Sequence, residues 1–242
     1  MPSGDKLFYV LTAPVGCPIE EFSESLRTSV GPLIAKELGD GTRVRVRLRE
    51  GTFSERLTGS PWLATVPVEG RDVPVDAAID VIVPTDTYDV DRATAVLVAA
   101  TSTTQGWRVQ PTSFIDNVVD APLGEPSPFI GGGGIIRRPA GMSRERFSHE
   151  WYVHGAHARA ISEGRTPPMM RNIQNRIIEP VTPTSWVIDG YEEAAIPNEL
   201  FDVFPVPDPN TTFESTVAGP GETEYFRLPT PLFWGREYVV AE

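Results

Sequence analysis

The sequence predicts an α+β protein in which two ferredoxin-like β-α-β-β-α-β units pair as an α+β barrel within one chain. Two observations predict this fold. The chain contains an internal repeat, because "PVGCPIEEFSESLRTSVGPLIA" from Pro14 aligns without gaps with "PAGMSRERFSHEWYVHGAHARA" from Pro139. In both copies an apolar strand precedes the aligned segment and a helix lies within it. A repeat at about half the chain length implies two similar units.

The repeat also predicts the domain organisation. The identical positions pair Pro14 with Pro139, Gly16 with Gly141, Glu20 with Glu145, Phe22 with Phe147, and Ser23 with Ser148. We expect residues 1–118 to form the first unit, a degenerate scaffold, and residues 130–242 to form the second unit, which carries the candidate site. The segment 119–129, "VDAPLGEPSPF", is rich in proline and polar residues and is typical of a linker.

The first unit shows all six expected elements. "KLFYVLTAP" predicts a strand, and the helix that follows has Pro18 at an early position with Glu20 and Glu21 after it. "TRVRVRLRE" alternates between polar and apolar residues, which predicts a half-buried strand. "VDAAIDVIVP" predicts a third strand, "DVDRATAVLVAATS" a second helix and "GWRVQPTSFID" the last strand.

The second unit is less regular. "FIGGGGIIRRP" predicts its first strand, and Ser143 and Glu145 mark the start of a helix as its N-cap and first-turn acid. "RNIQNRIIEP", "SWVIDGYEEAAI" and "GREYVVAE" predict its other strands, whereas residues 197–232 are rich in proline and glycine and predict mostly loop. The glycines at 131–134 indicate either a strand closely approached by a ligand or another backbone, or a flexible segment after the linker.

Composition excludes several classes of partner. The net charge is -12 and no basic patch is present, so we expect neither nucleic acid nor an anionic membrane as a partner. No apolar stretch has the length of a membrane span, and the first residues lack the pattern of a signal peptide, so the expected compartment is the cytoplasm. The single cysteine, Cys17, excludes an intrachain disulfide.

All three histidines of the chain lie in "FSHEWYVHGAHA", residues 147–158. A helix turns by about 100° per residue. The inward stripe of this helix is therefore predicted to contain Phe147, Trp151, His154, Ala158 and Ile161. His157 lies on the shoulder of that stripe, and His149 is expected to be solvated. His154 is then either a catalytic group or a core histidine that hydrogen-bonds to the backbone.

Comparison of the two copies favours a site in the second. His154 aligns with Ser29, and His157 aligns with Pro32. A histidine that served only packing would be expected to leave a residue of similar size in the related copy. We therefore expect the second copy to hold the chemistry.

The helix and the strand after it resemble the EthD-like family of dimeric α/β-barrel proteins. The family pattern is F-x-x-x-W-x-x-x-H-x-P-L after a P-G-M-S/T turn, followed by Y-x-Q-N and a later D-G. Here the pattern is carried by Phe147, Trp151, His154, "NIQN" at 172–175 and Asp189-Gly190. The resemblance extends from about Pro139 to Glu193. This sequence departs from the family in having Ile173 for the tyrosine, Ala156 for the proline and a histidine spacing one residue shorter.

The resemblance implies a small α+β barrel whose relatives include cofactor-free cyclases, dehydratases and other lyases that act on aromatic or polyketide-like compounds, and some oxygenases. Histidine can both take and give a proton near neutral pH. We therefore expect a cofactor-free lyase, a dehydratase or cyclase, acting on an apolar aromatic, polyketide-like or terpenoid carbonyl or hydroxy compound. The alternatives are a cofactor-independent oxygenase on the same fold and a non-catalytic small-molecule-binding module.

The expected site has two parts. The candidate catalytic residues are His154 and His157 as acid and base and Asn175 as the donor that holds an oxygen. The candidate substrate-binding residues are Phe147, Trp151, Asn172, Gln174, Trp186 and Tyr191. We expect no cofactor and no metal, since the chain lacks the Cys/His set of structural zinc and a third ligand for His154 and His157 would have to be a carboxylate such as Glu193 or Asp189. The expected partner is a small hydrophobic or aromatic substrate, and the sequence leaves open a homodimer through exposed sheet edges.

Overall fold

A computed structural model of the chain describes residues 5–50, 52–60, 63–68, 70–84, 88–162, 170–184, 186–200 and 232–242. These residues form β1 (Asp5–Thr12), β2 (Arg43–Leu48), β3 (Thr65–Val68), β4 (Arg71–Pro74), β5 (Ala77–Val83), β6 (Thr103–Asp116), β7 (Pro126–Ile136), β8 (Arg171–Pro180), β9 (Gly190–Pro197) and β10 (Leu232–Ala241). The helices are α1 (Ile19–Ser25), a π-helical turn (Leu26–Val30), α2 (Gly31–Leu38), α3 (Thr52–Leu57), α4 (Val90–Ala100), α5 (Arg144–Ser162) and a 3-10 turn (Asn198–Leu200).

Eight of these strands close into an antiparallel barrel in the order β1-β5-β2-β10-β7-β9-β8-β6. The order contains two equivalent halves, β6-β1-β5-β2 and β10-β7-β9-β8. In each half the first strand in sequence lies between the third and the fourth, and the second strand lies beside the third, which is the ferredoxin-like arrangement. The halves join where β2 pairs with β10 and where β6 pairs with β8. The predicted α+β barrel of two ferredoxin-like units within one chain is confirmed.

Two parts of the chain depart from the sequence-based expectation. A hairpin of β3 and β4, preceded by α3, is inserted between β2 and β5 and was not predicted. β7 begins at Pro126, so residues 126–129 of the expected linker belong to a barrel strand. The second helix expected in the second unit falls in residues 201–231, which lie outside the described part of the chain.

The helices of the first unit cover the outer face of its strands. Val44, Val46 and Leu48 of β2 pack into the same buried cluster as Ile34 of α2 and Leu97 of α4. Because successive side chains of a strand point to opposite faces, the arginines between these residues point into the barrel. In "TRVRVRLRE" the valines lie on the outer face of the strand, under the helices, and the arginines lie on the inner face. The expected strand has its arginines in solvent, whereas here both faces are covered.

In the second unit, α5 packs on the outer face of the sheet. Phe147 and Trp151 form a buried cluster with Ile136 and Met142. Gly190 makes this packing feasible, because a Cβ atom at that position would overlap the Trp151 ring. Among the described helices, none combines the length and hydropathy needed to cross a membrane.

The barrel interior is divided into an apolar half and a charged half. The apolar half contains Phe8, Trp107 and Phe233 and is closed by Val66 of the β3–β4 hairpin. The charged half lies toward the end of the barrel where β1, β2 and β8 begin and where β5, β6 and β10 end. An eight-stranded barrel has an interior just wide enough for side chains to fill or for one small ligand.

The glycines at 131–134 serve contacts within the chain. A Cβ atom at Gly131 would meet Oε2 of Glu237 and Nε of Arg47, and one at Gly133, where φ is 150°, would overlap the backbone oxygen of Glu192. These glycines therefore belong to a strand approached closely by its own neighbours, which agrees with the first of the two interpretations of this segment.

Candidate functional site

Helix α5 begins as the sequence predicts. The backbone N–H of Arg146 donates a hydrogen bond to Oγ of Ser143 at 3.1 Å, which makes Ser143 the N-cap. Hydrogen bonds with its own backbone N–H and with the Ser143 hydroxyl lower the pKa of Glu145 below its usual value. The helix start therefore fixes the phase of the faces that carry the histidines.

The orientation of the histidines also agrees with the prediction. His154 is 2% exposed and lies with buried Phe147, Trp151 and Ala158 on the inward face of α5. His157 is half-buried, and His149 is exposed. The rings of Phe147 and Trp151 lie 5.6 Å apart. The side chain of Ile161, the fifth residue of the predicted stripe, lies outside the described residues.

The outer face of β8 supplies amide groups beneath α5. Nε2 of Gln174 donates a hydrogen bond to the backbone oxygen of Trp151 at 2.6 Å. Asn172, two residues earlier on the same face, is fully buried, and its Nδ2 donates to Oε1 of Glu192 at 2.6 Å. We call this layer, formed by His154, His157, Asn172, Gln174 and Glu192, the helix-face site.

Asn175 does not belong to the helix-face site. Its Nδ2 donates to Oε1 of Glu193 at 2.8 Å inside the barrel. Adjacent strand residues point to opposite faces, so Gln174 faces α5 and Asn175 faces the interior. The predicted grouping of Asn175 with His154 and His157 is therefore corrected by the structure, which separates them by the thickness of the sheet.

The four predicted aromatic residues likewise fall on two sides of the sheet. Phe147 and Trp151 lie under α5, whereas Trp186 and Tyr191 belong to the apolar interior of the barrel. Tyr191 stacks on Phe8 with ring centroids 4.1 Å apart. The expected strand over 185–196 begins only at Gly190, and Trp186, which precedes it, joins Tyr191 in one buried cluster.

The charged half of the barrel was missed by sequence reasoning. We call its buried ion pairs the barrel cluster, formed by Lys6, Arg45, Arg47, Asp80, Arg171, Glu193 and Glu237. The available signal was the spacing of arginines in "TRVRVRLRE", with a carboxylate inside each of three other apolar strand patterns. Arginine and carboxylate side chains are usually exposed, and sequence alternation does not reveal which face the helices cover.

Glu193 lies at the centre of the barrel cluster. It pairs with Lys6 and accepts from Nη2 of Arg47 at 2.8 Å, while Lys6 and Arg47 also pair with Asp80. Burial by itself would raise the pKa of Glu193, but the positive charges of Lys6, Arg47, Arg171 and Arg45 outweigh it and hold the pKa well below 4.5.

Glu237 links the other arginines. It accepts two hydrogen bonds from Arg171, at 2.7 and 3.1 Å, and one from Nε of Arg47 at 3.0 Å. Burial would raise its pKa, but Arg45, Arg171 and Arg47 lower it to about 2. Nη1 of Arg47 also donates to the Tyr191 hydroxyl at 3.2 Å, and burial raises the pKa of Tyr191 well above 10.

These shifts decide what the barrel cluster can do chemically. Glu193 and Glu237, whose pKa values are lowered, stay ionised across the neutral range, and Arg47 and Arg171, whose pKa values are raised, stay protonated. The cluster is suited to binding and orienting charge, whereas the histidines of the helix-face site belong to the residue type that takes and gives protons near neutral pH.

Two other features of the described residues bear on the site. No three side chains of histidine, cysteine, aspartate or glutamate among them converge to hold a metal ion, and Glu193 lies on the opposite face of the sheet from His154. An open groove of about 580 Å³ lies at the start of α5, lined by residues 137–143, Val187 and Asp189. None of the predicted site residues lines this groove.

Fold and site together define a class: an α+β barrel of two ferredoxin-like units with a buried polar interior and a histidine-bearing outer helix. A solved structure shares the fold. An anthrone oxidase-like protein matches with a TM-score of 0.54 and 8% identity, over 99% of this chain and 94% of that chain.

Two further structures match less well. A monooxygenase described as putative, from Lactobacillus acidophilus NCFM, matches with a TM-score of 0.42 and 9% identity, over 98% of this chain and 94% of that chain. A variant of DypB from Rhodococcus jostii RHA1 in complex with heme matches with a TM-score of 0.48 and 11% identity, over 100% and 94%. No protein-family model matches the chain, and no curated protein sequence does. At 8% identity the match to the anthrone oxidase-like protein establishes the fold alone and leaves the activity to be argued from the site.

Proposed function

We propose that this protein is a small-molecule enzyme that performs acid–base chemistry without an added cofactor. The proposed reaction is that of a lyase, a dehydration or cyclisation of an apolar aromatic, polyketide-like or terpenoid compound that carries carbonyl and hydroxyl groups. The proposed location is the helix-face site between α5 and β8. The EthD-like resemblance of this segment and the fold shared with an anthrone oxidase-like protein agree with a small-molecule substrate.

The observation that carries the proposal is the buried side-chain oxygen of Asn172, which has no hydrogen-bond donor among the described residues. Its Nδ2 donates to the carboxylate of Glu192, which fixes the orientation of the amide, because a carboxylate can only accept. Oδ1 of the same amide is then turned away from Glu192. That atom is buried and accepts no hydrogen bond from any described residue. A buried acceptor in this state suits the hydroxyl group of a substrate.

The surrounding residues suit the rest of the reaction. In a dehydration, one histidine removes the proton next to the substrate carbonyl, and the other protonates the departing hydroxyl so that it leaves as water. His154 and His157, one helical turn apart, are assigned these two roles. The amide of Gln174 is assigned to the carbonyl oxygen, and Phe147 and Trp151 provide the apolar wall.

The test is incubation of the purified protein with a library of aromatic and terpenoid hydroxy-carbonyl compounds, followed by mass spectrometry. We expect one or more compounds to lose the mass of one water. His154→Ala and His157→Ala should each lower the rate by about a hundredfold or more, since general acid–base catalysis contributes at least this factor. His149→Ala, an exposed histidine on the same helix, is the matched control and should retain the full rate.

Three other outcomes would contradict the reaction or its location. An oxygen-dependent gain of one or two oxygen atoms would identify an oxygenase. Retention of a compound without any change of mass would identify a binding module. Loss of water at an unchanged rate in both histidine variants would remove the helix-face site as the location of the chemistry.

A further inference from the structure

The groove at the start of α5 lies outside the helix-face site and the barrel cluster. It is formed by the turn that joins β7 to α5, residues 137–143, and by Val187 and Asp189 before β9. Asp189 holds these two parts together, because its Oδ2 accepts a hydrogen bond from the backbone N–H of Arg138 at 2.9 Å and its own N–H donates to the oxygen of Ile136 at 2.9 Å. The groove volume of about 580 Å³ falls within the range of small-molecule sites, about 300–1,000 Å³.

Arg137 places a cation in this groove. Its guanidinium lies over the ring of Trp186, with Cζ 5.8 Å from the ring centroid. Trp186 is buried and packs against Trp107 inside the barrel, so the ring is a fixed platform. A guanidinium held against an aromatic ring keeps N–H donors for another partner. No described carboxylate forms an ion pair with Arg137, whereas Nε of Arg138 lies 3.3 Å from Oδ1 of Asp189.

Charge around the groove is positive, although the chain as a whole has a net charge of -12. The groove and the two residues that follow it in α5 carry three arginines and two carboxylates: Arg137, Arg138, Arg144, Glu145 and Asp189. Both carboxylates already interact with cations, Asp189 with Arg138, and Glu145 with Arg138 and Arg144. The groove therefore favours a small anion, whereas an acidic macromolecule would be repelled by the rest of the surface.

The remaining walls of the groove are apolar. Pro139, Ala140 and Met142 contribute from the turn, and Val187, which is 75% exposed, contributes from the segment before β9. A ligand between these side chains removes part of their apolar surface from water, which is favourable. A ligand with an apolar body and one anionic group therefore matches both the walls and the cation.

We propose that this groove binds a small aromatic carboxylic acid. The carboxylate accepts hydrogen bonds from the guanidinium of Arg137, whose planar arrangement of donors matches carboxylate oxygens. The aromatic body packs against Met142 and Val187. The groove lies about three helical turns before the histidines of the helix-face site, and the proposal does not rest on the proposed lyase activity.

A ligand-observed NMR titration of the full chain at constant ionic strength tests the site. The probe is phenylacetate, and phenylacetamide, which has the same shape without the charge, is the matched ligand. Phenylacetate should bind about tenfold more tightly, since a hydrogen bond to a charged group contributes about that factor. Arg137→Gln should abolish this preference, and Arg137→Lys should retain only part of it. Arg92→Gln, at an exposed arginine on α4, is the matched control and should keep the preference.

Val187→Ser separates the apolar wall from the cation. It should weaken the binding of both compounds a few-fold and leave the preference for phenylacetate intact, because Arg137 is unchanged. Damage to the fold would not abolish the preference in one variant and preserve it in the other. Equal affinities for the two compounds in the unmodified protein, no binding of either, or loss of the preference in Arg92→Gln overturns the proposal. Binding of a tetraglutamate peptide without binding of phenylacetate also overturns it and identifies an acidic peptide as the occupant.

Discussion

Glu193 is a single side chain on which several buried groups of this barrel depend. It is fully buried, pairs with Lys6 and Arg47, and accepts a hydrogen bond from Asn175. Ion pairs of this kind add little compared with apolar packing, but loss of one partner leaves the others charged and without a counterion. The side chain is therefore needed because of the cations around it.

Glu193→Gln should lower the free energy of unfolding by about 3–5 kcal/mol, the usual cost of breaking a buried ion pair. Urea unfolding followed by circular dichroism measures the change. Glu179→Gln is the matched control, because Glu179 pairs with Arg108 at 3.0 Å but is 57% exposed. The control should lose less than about 1 kcal/mol. Equal losses in the two variants would show that Glu193 is not part of a buried network.

At the scale of residues, the sequence predicts which side chains share one face of a helix, because this depends only on the helical period. The spacing of His154, Trp151 and Phe147 defines one helix face, and that face is buried. Asn175 was assigned to the same site because its sequence neighbours resemble a family motif. Its true position depends on which face of β8 the helix covers, and the residues of β8 do not contain that information.

At the scale of elements, α5 illustrates a conflict between local preference and packing. Gly155 lies in the middle of this helix, where glycine is about 1 kcal/mol less favourable than alanine. A Cβ atom there would overlap the ring of Phe114 and lie 2.7 Å from Nε2 of Gln174. The glycine therefore allows the helix to approach β6 and β8 closely.

Gly155→Ala should lower the free energy of unfolding by about 1 kcal/mol, because overpacking costs more than the helix preference gains. His149→Ala on the exposed face of the same helix should raise it by a few tenths of a kcal/mol through helix preference alone. Thermal unfolding of both variants measures the two signs. A Gly155→Ala variant more stable than the unmodified protein would contradict the close approach.

Most strands and helices could be predicted because their periods are strong and their boundaries carry turn residues. The sequence does not predict the β3–β4 hairpin, whose strands are short and each contain a proline. The segment "SWVIDGYEEAAI" predicts a strand that includes Trp186 and Ile188. Both residues precede β9 and are buried in the apolar cluster of the barrel interior. A local sequence pattern does not reveal such tertiary contacts.

At the scale of the whole molecule, the buried carboxylates make stability depend on pH. The pKa of Glu237 is lowered from 4.5 to about 2, and that of Glu193 is also lowered. A carboxyl group with a lowered folded pKa stabilises the fold above its unfolded pKa, and this stabilisation is lost as the pH falls through the folded pKa. The protein should therefore keep its stability above about pH 4.5 and lose it between 4.5 and 2.

Urea unfolding at a series of pH values tests this dependence. Glu237 by itself should account for a loss on the order of 3 kcal/mol, since one pKa unit corresponds to about 1.4 kcal/mol. The Glu193→Gln variant should show a shallower fall over the same range, because it has one titrating buried carboxyl group fewer. A free energy of unfolding that stays constant from neutral pH to pH 3 would contradict the buried ionised state of these groups.

The position of β10 in the barrel has a consequence for biosynthesis. Of the described strands, β10 is the last to leave the ribosome, yet it lies between β2 and β7 and supplies Glu237. Until it emerges, the nascent barrel is open and its arginines lack one of their carboxylates. Contacts between residues so distant in sequence form slowly. Until β10 pairs with β2 and β7, the exposed edges of these strands promote aggregation. The nascent chain is therefore expected to need protection, by a chaperone or by the ribosome surface, until β10 has been translated.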